Sequence, residues 1–232
     1  MGDVMPQKKK IRVRVKKRKL KIKNILICIV FLIMLYFGIN YIINIPIKNI
    51  YIKNNNILSD KEIIEFANLE NYPSFILTTS YEIKKNILKN ELIKEVNISK
   101  KYGSKVYLEI SEYNALCVYN DKIILENKKL INNNYNLSLP YLINDITSVY
   151  DEFVNYFSKV DDGIKFKISQ IEYVPNDVDN ERFLFYMNDG NYVYVTLTKI
   201  NKINKYNSIK DQLEGSHGII YLDSGDYIEI KE

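Results

Sequence analysis

Ile25 to Ile39 reads ILICIVFLIMLYFGI, with no charge and no strongly polar side chain, and the run continues through Asn40, Tyr41, Ile42, Ile43 and Asn44 to Ile45, just before Pro46. A helix needs about 20 residues to cross about 30 Å of hydrocarbon, and Ile25–Ile45 supplies 21. A buried core helix would keep a polar face, and this run has none for four turns. A signal peptide would have a shorter apolar stretch of about 7–15 residues and then a small-x-small cleavage site. Asn44-Ile45-Pro46-Ile47 offers no such site. Residues 25–45 are therefore read as an uncleaved transmembrane helix, with Tyr36 and Tyr41 toward its far end as interfacial aromatics.

The charge is divided around this helix. The 232 residues hold 33 Lys and Arg against 28 Asp and Glu, a formal net charge of +5. Eleven of the basic residues, but only Asp3 among the acids, fall in residues 1–24. The sum thus averages a strongly basic tail with an acidic remainder. The positive-inside rule keeps such a tail cytoplasmic and predicts a single-pass type II protein of the cell membrane, with residues 46–232 extracytoplasmic. A nucleic-acid arm is the rival reading of residues 1–24. The tail lacks interleaved aromatics and abuts a membrane helix, so topology and anionic lipid account for it, and no nucleic-acid partner is expected.

Several chemistries find no residues. An apolar fraction of 47% with 8 Gly and 5 Pro excludes a disordered or collagen-like chain. Two cysteines exclude a disulfide scaffold, and Cys28 and Cys117 lie on different sides of the membrane boundary. Cys117 reads as a small buried residue of a strand. His217 is the one histidine, in a loop between Gly215 and Gly218, with no paired nucleophile. Asp177-x-Asp179-x-Glu181 suggests a calcium loop, but Arg182 and Asn188 stand where an EF-hand needs Gly and Glu. Asp161-Asp162-Gly163 reads as a turn. No phosphate-binding loop is present. No catalytic, cofactor-binding or metal-binding residue is expected, nor a small-molecule substrate.

Past Pro46, Ile47, Ile50 and Ile52 predict a short strand, and Asn54-Asn55-Asn56 a turn in which Asn tolerates positive φ. Ser59-x-x-Glu62 and Thr79-x-x-Glu82 are two capping boxes. The first opens a helix with Ile63, Ile64, Phe66 and Ala67 on its apolar face, and the second a helix with Ile83, Ile87 and Leu88. Phe75 and Ile76, after Pro73, are expected core anchors. Val96 and Ile98, a turn at Lys101-Tyr102-Gly103-Ser104, then Val106, Leu108, Ile110 and Glu112 predict two strands. The order is βααββ.

These residues carry a resemblance. The I-x-x-I-x-I of Ile47, Ile50 and Ile52, the L-S-x-x-E-I of Leu58 to Ile63, Leu92 to Lys100, and the V-x-L-x-I-x-E of Val106 to Glu112 resemble the POTRA domain of DivIB/FtsQ cell-division proteins. A basic cytoplasmic tail and one membrane helix precede the domain in that family, as here. The family's usual Gly before the first helix is replaced by the Asn54–Asn56 run.

Beyond Asn114 the period is mostly two. Leu116–Tyr119 and Ile123–Leu125 flank Asn120-Asp121 as a hairpin, and Leu130-Ile131 follows. Leu139-Pro140-Tyr141-Leu142 marks a loop with an extended segment. Tyr150, Phe153, Val154 and Phe157 predict a helix. Ile164, Phe166, Ile168, Ile171 and Tyr173 read as strands. Phe183, Phe185 and Met187 lead into a hairpin turn at Asn188-Asp189-Gly190, with Tyr192 and Tyr194 on one face of the return strand, shared with Leu197, and Val193 and Val195 on the other. Ile200, Ile203, Ile209 and Leu213 predict a helical segment. Ile219–Leu222 and Tyr227–Ile230 form a terminal hairpin.

The resulting expectation is an α+β chain. It comprises a cytoplasmic tail (1–24), a transmembrane helix (25–45), a POTRA domain (46–113) and a mixed, mainly antiparallel β domain with flanking helices (114–232). The resemblance implies a non-catalytic scaffold of the bacterial division septum, with membrane partners of the DivIC/FtsL (FtsB-like) class. An unprotected edge strand can add a partner strand through main-chain hydrogen bonds. The candidate partner-binding residues are Asp226, Tyr227, Ile228, Glu229 and Ile230 of the last strand, which the chain's end at Glu232 leaves without a covering tail, together with Tyr221. Intramolecular packing of Tyr221 and Tyr227 is the alternative. The family commonly ends its near-terminal strand in Asp-Leu-Arg, where this chain has Tyr221-Leu222-Asp223. A membrane-anchored cell-wall enzyme or sensor is the second functional reading, and it needs a nucleophile or metal set that the sequence does not display.

Overall fold

The apolar run forms one helix, α1 (Ile22–Ile43), in a computed structural model that describes residues 21–231. Most of the basic tail therefore lies outside the described residues. The helix starts three residues before the predicted Ile25 and stops two before Ile45. Asn40 near its end donates to the Tyr36 carbonyl, and Asn44, its C-cap residue, donates to that of Asn40. Pro46 disfavours helical backbone at the residue before it, which ends the helix. The chain divides at Ile45/Pro46 into two compact units, and α1 belongs to the first.

The second unit opens with the predicted βααββ order: β1 (Asn49–Lys53), α2 (Asp60–Phe66), α3 (Ser80–Ile87), β2 (Ile93–Lys101) and β3 (Lys105–Glu112). The sheet order is β1-β3-β2, with β1 parallel to β3 and β2 antiparallel to it. Both capping boxes form in full: Ser59 and Thr79 accept from the Glu62 and Glu82 amides, and each Glu reaches back to its cap residue. Asn54 takes a φ of 64°, as the Asn run permits. A bulge between Ile93 and Glu95 rephases β2, so that Ile93 and Val96 both point into the core. Leu88 and Ile76 stay exposed, contrary to expectation, and Phe75 is half-buried. Leu88 is the C-cap residue of α3, one step past the buried Ile87, and Ile76 sits at a turn tip.

A second sheet of nine strands follows: β4 (Ala115–Tyr119), β5 (Lys122–Leu125), β6 (Leu130–Asn132), β7 (Tyr141–Leu142), β8 (Ile168–Tyr173), β9 (Arg182–Met187), β10 (Tyr192–Thr196), β11 (Gly218–Tyr221) and β12 (Tyr227–Ile230). Their order is β12-β11-β10-β9-β8-β7-β4-β5-β6. Asn120 and Asp121 both have positive φ, the requirement of a two-residue type I′ hairpin. The extended Tyr141-Leu142 segment is a short strand, parallel to β4 on one side and β8 on the other. Helix α4 (Tyr150–Phe157) packs Phe153 on Phe183, with centroids 5.2 Å apart, and Phe157 on Phe185 at 5.8 Å. The stretch 164–167 is not a strand: α5 (Asp162–Lys165) makes one helical turn, Lys165 bonds Asp162 at 3.0 Å, and Phe166 is left exposed. Residues 197–213 fold as 3₁₀ turns around α6 (Tyr206–Lys210), burying Leu197, Ile200, Ile203, Tyr206 and Leu213. Leu197 therefore leaves the face of Tyr192 and Tyr194.

The first hairpin of this sheet is buried on both sides. Leu116, Cys117 and Ile124 pack into the core beneath α4. Val118, Ile123, Leu125 and Ile131 pack into the core of the βααββ unit. A register shift between Ala115 and Cys117 lets Leu116 and Cys117, neighbours in sequence, enter the same core. Strands β4–β6 are thus a shared wall, and the two cores of this unit meet through them rather than through a linker.

Candidate functional site

Strand β12 pairs with β11 alone, and its other edge has no strand partner among the described residues. All six candidate residues lie on this terminal hairpin. The register places Tyr221 opposite Tyr227 and Ile219 opposite Glu229, while the parallel β10–β11 pairing places Tyr194 opposite Tyr221. Three tyrosines from three adjacent strands therefore form one column. Tyr194 and Tyr221 stack with centroids 5.2 Å apart, and Tyr221 and Tyr227 with centroids 4.5 Å apart. The Arg182 guanidinium closes the inner end, 3.8 Å from the Tyr194 centroid.

This geometry separates the two candidate aromatics. Tyr221 has a ring on each face, so intramolecular packing accounts for it. Tyr227 is covered on one side and remains 49% exposed. The Tyr221 hydroxyl donates to Glu229 at 3.3 Å, and burial, followed by the Glu229 carboxylate, pushes its pKa up. Glu229 and Ile230 are exposed, and Ile228 is half-buried against the core. Behind the strand lies a groove of 540 Å³, lined in part by Ile209, Ile220, Leu222, Ile228 and Lys205. Asp226 has a left-handed φ of 56° and accepts from Lys202 Nζ at 2.6 and 2.7 Å, tying the hairpin to the 197–205 segment.

Support for the column comes from residues the motif reading missed. Arg182 Nε donates to Asp223 at 2.7 Å, with the two side chains 18% and 6% exposed. Burial alone would raise the Asp223 carboxyl, but hydrogen bonds from Arg182 and Ser224 and the charge of Arg182 hold it below the usual value. Lys199 donates to the Asp223 carbonyl at 2.6 Å. Arg182 and Asp223 are 41 positions apart, and the alternation of Tyr192-Val193-Tyr194-Val195 was the only local sign of this face. Further along the same face, Tyr186 donates to Glu172 at 2.6 Å, which pushes its pKa up to about 12, and meets Tyr192 edge-on.

The other residues weighed for chemistry sit elsewhere. Asp179, in the β8–β9 loop, accepts from the Glu181 amide and from the Thr196 hydroxyl at the end of β10. His217 is exposed beside Gly190. Cys117 is fully buried, and desolvation pushes its thiol pKa up, away from a reactive thiolate. Among the described residues no group of His, Cys, Asp and Glu is disposed to hold a metal ion.

Residues 45–113 match the FtsQ-type POTRA domain. The cell division protein DivIB of Bacillus subtilis (strain 168) is 29% identical over 195 residues, spanning 79% of this chain and 73% of that one. DivIB of Bacillus anthracis is 26% identical over 191 residues, spanning 78% and 72%. The solved major extracytoplasmic domain of the trans isomer of DivIB from Geobacillus stearothermophilus aligns at 21% identity with a TM-score of 0.37, covering 45% of this chain and 96% of that one. Residues 45–113 thus form an FtsQ-type POTRA domain, and the chain resembles the cell division protein DivIB over nearly four fifths of its length, with a β domain after the POTRA domain.

Proposed function

We propose that this protein is a non-catalytic, single-pass membrane scaffold of the bacterial division septum. Its basic tail is cytoplasmic and its POTRA and β domains are extracytoplasmic. It binds division membrane proteins of the DivIC/FtsL (FtsB-like) class by adding a partner strand to β12. The division role is supported by the relatives, each named a cell division protein. The membrane anchor is supported by α1, 22 residues long and apolar enough to cross a bilayer.

The observation that carries the partner reading is the half-open tyrosine column on β12, whose outer edge has no strand partner among the described residues. A strand laid beside β12 gains main-chain hydrogen bonds along Tyr227–Ile230. It can place one side chain on the open face of Tyr227, and the next, on the opposite face, toward the groove beside Ile228. Alternation then sets the register, because a one-residue slip exchanges the two faces.

Truncation after Gly225 tests this. It is expected to abolish pull-down of the division partners while the POTRA unit stays folded by circular dichroism. Undiminished pull-down would remove β12 as the contact. A fluorescent fusion tests the location: a midcell ring supports the septal reading, and uniform envelope staining contradicts it.

A further inference from the structure

One end of the POTRA unit carries large apolar side chains that its own core leaves uncovered. Tyr72 is 55% exposed, Ile76 48%, Leu77 60% and Tyr102 fully so. Tyr72 precedes Pro73, Ile76 and Leu77 form the tip of the turn that follows, and Tyr102 tips the β2–β3 turn. These segments are knitted to the start of the unit. The Ile47 amide donates to the Pro73 carbonyl at 3.0 Å, the Lys48 amide to the Ser104 carbonyl at 2.9 Å, and Pro46 bridges Ser74. The Lys100 ammonium lies on the Phe75 ring and binds the Phe75 and Thr78 carbonyls, which holds the turn with Ile76 and Leu77 outermost. Lys48 and Lys101 are exposed at the same end, and Lys105 is partly so. Glu70 and Glu82 are the acids that flank the apolar turn in sequence.

The place of this end along the chain identifies what covers it. Ile47 is two residues past Ile45, where the apolar run stops. Two residues of chain reach at most about 7 Å. A surface hydrogen-bonded to Ile47 therefore lies close to the point where the chain leaves the bilayer. Tyrosines and aliphatics beside lysines are the side chains that settle at a lipid headgroup layer.

We infer that this end of the POTRA unit rests on the membrane. Tyr72, Ile76, Leu77 and Tyr102 enter the headgroup region, and Lys48, Lys101 and Lys105 meet anionic phospholipid. The contact depends on α1 crossing the bilayer and is independent of the β12 edge.

The chain has no tryptophan, so a single introduced indole reports on its own surroundings. The full chain carrying Leu77→Trp would be reconstituted in phosphatidylglycerol-containing bilayers with lipids brominated near the headgroup end of the acyl chain. Val178→Trp, in the β8–β9 loop at 95% exposure, is the comparison. Leu77→Trp is expected to emit to the blue of Val178→Trp and to be quenched about twofold or more, as an indole at the interface would be. Equal quenching of the two overturns the proposal. Replacing Lys48, Lys101 and Lys105 by Gln in the Leu77→Trp chain should reduce quenching in anionic bilayers and leave it unchanged in zwitterionic ones. The same change in both would overturn the role given to the lysines.

Discussion

Tyr227 stacks on Tyr221 with centroids 4.5 Å apart and planes 14° apart, and it is the outermost ring of a column that begins at Arg182. Both faces of Tyr221 are taken, while only one face of Tyr227 is. The two residues therefore differ in what their removal costs. An aromatic pair contributes about 0.5–1.5 kcal/mol beyond its buried area.

Tyr227→Ala is expected to lower stability in urea by about 1 kcal/mol and to weaken partner binding by about tenfold or more. Tyr221→Ala breaks two stacks and should cost more stability. Titrating the partner against each variant checks the distinction, and unchanged affinity for Tyr227→Ala would show that its open face is not a contact.

Gly218 has a conformation any residue can adopt, so what it lacks is space. A Cβ there would lie 2.7 Å from the Glu229 carbonyl oxygen and 3.0 Å from Leu213 Cδ2. Gly218→Ala must push β12 away from β11, since a backbone oxygen cannot rotate aside. Faster amide exchange along Tyr227–Ile230, with β8 and β9 unchanged, is the expected signature.

The Arg182–Asp223 pair is nearly buried and the Lys94–Glu126 pair is not, with side-chain exposures of 18% and 6% against 53% and 20%. Leaving one partner of a buried pair unmatched costs about 3–5 kcal/mol, whereas an exposed pair is worth about 0–1 kcal/mol. Asp223→Ala should therefore destabilise toward the lower end of the buried range, and Glu126→Ala hardly at all, as read by chemical denaturation.

Asp223 and Asp189 both have carboxyl pKa values held down in the folded chain. For Asp189 burial opposes the shift, and bonds from Lys210 and Tyr206 and the Asn191 amide outweigh it. A lowered folded pKa gives stability that is complete above the unfolded value of about 4 and lost as pH falls through the folded one. Unfolding free energy should thus decline below about pH 4–5. Asp223→Asn should be less stable at neutral pH and show a shallower decline.

Glu112 closes the V-x-L-x-I-x-E motif, and its carboxylate accepts from the amides of Asn56, Ile57 and Leu58 at 2.9, 2.8 and 3.0 Å. It pins the Asn-rich turn that stands where the family uses Gly. Glu112→Ala would leave three amides without their acceptor, at about 1–3 kcal/mol for a group left unsatisfied. Loss of amide protection at residues 56–58 checks this directly.

The sequence by itself determined what depends on near neighbours. The long apolar helix α1 follows from one uninterrupted apolar run. The starts of α2 and α3 follow from Ser59/Glu62 and Thr79/Glu82, three residues apart, and the first hairpin from Asn120-Asp121, whose side chains tolerate positive φ. Tertiary structure alone decided the rest. It set Tyr141-Leu142 between β4 and β8, gave β4–β6 two buried faces, turned 162–165 into a helical turn, and left Ile76, Leu88 and Phe166 in solvent. It also joined Arg182 to Asp223 and aligned three tyrosines across β10, β11 and β12. The reason is physical. Hydrophobic periodicity marks which face of an element is apolar. Which surface covers that face, and in what register, is settled by hydrogen bonds and packing between segments that are distant along the chain.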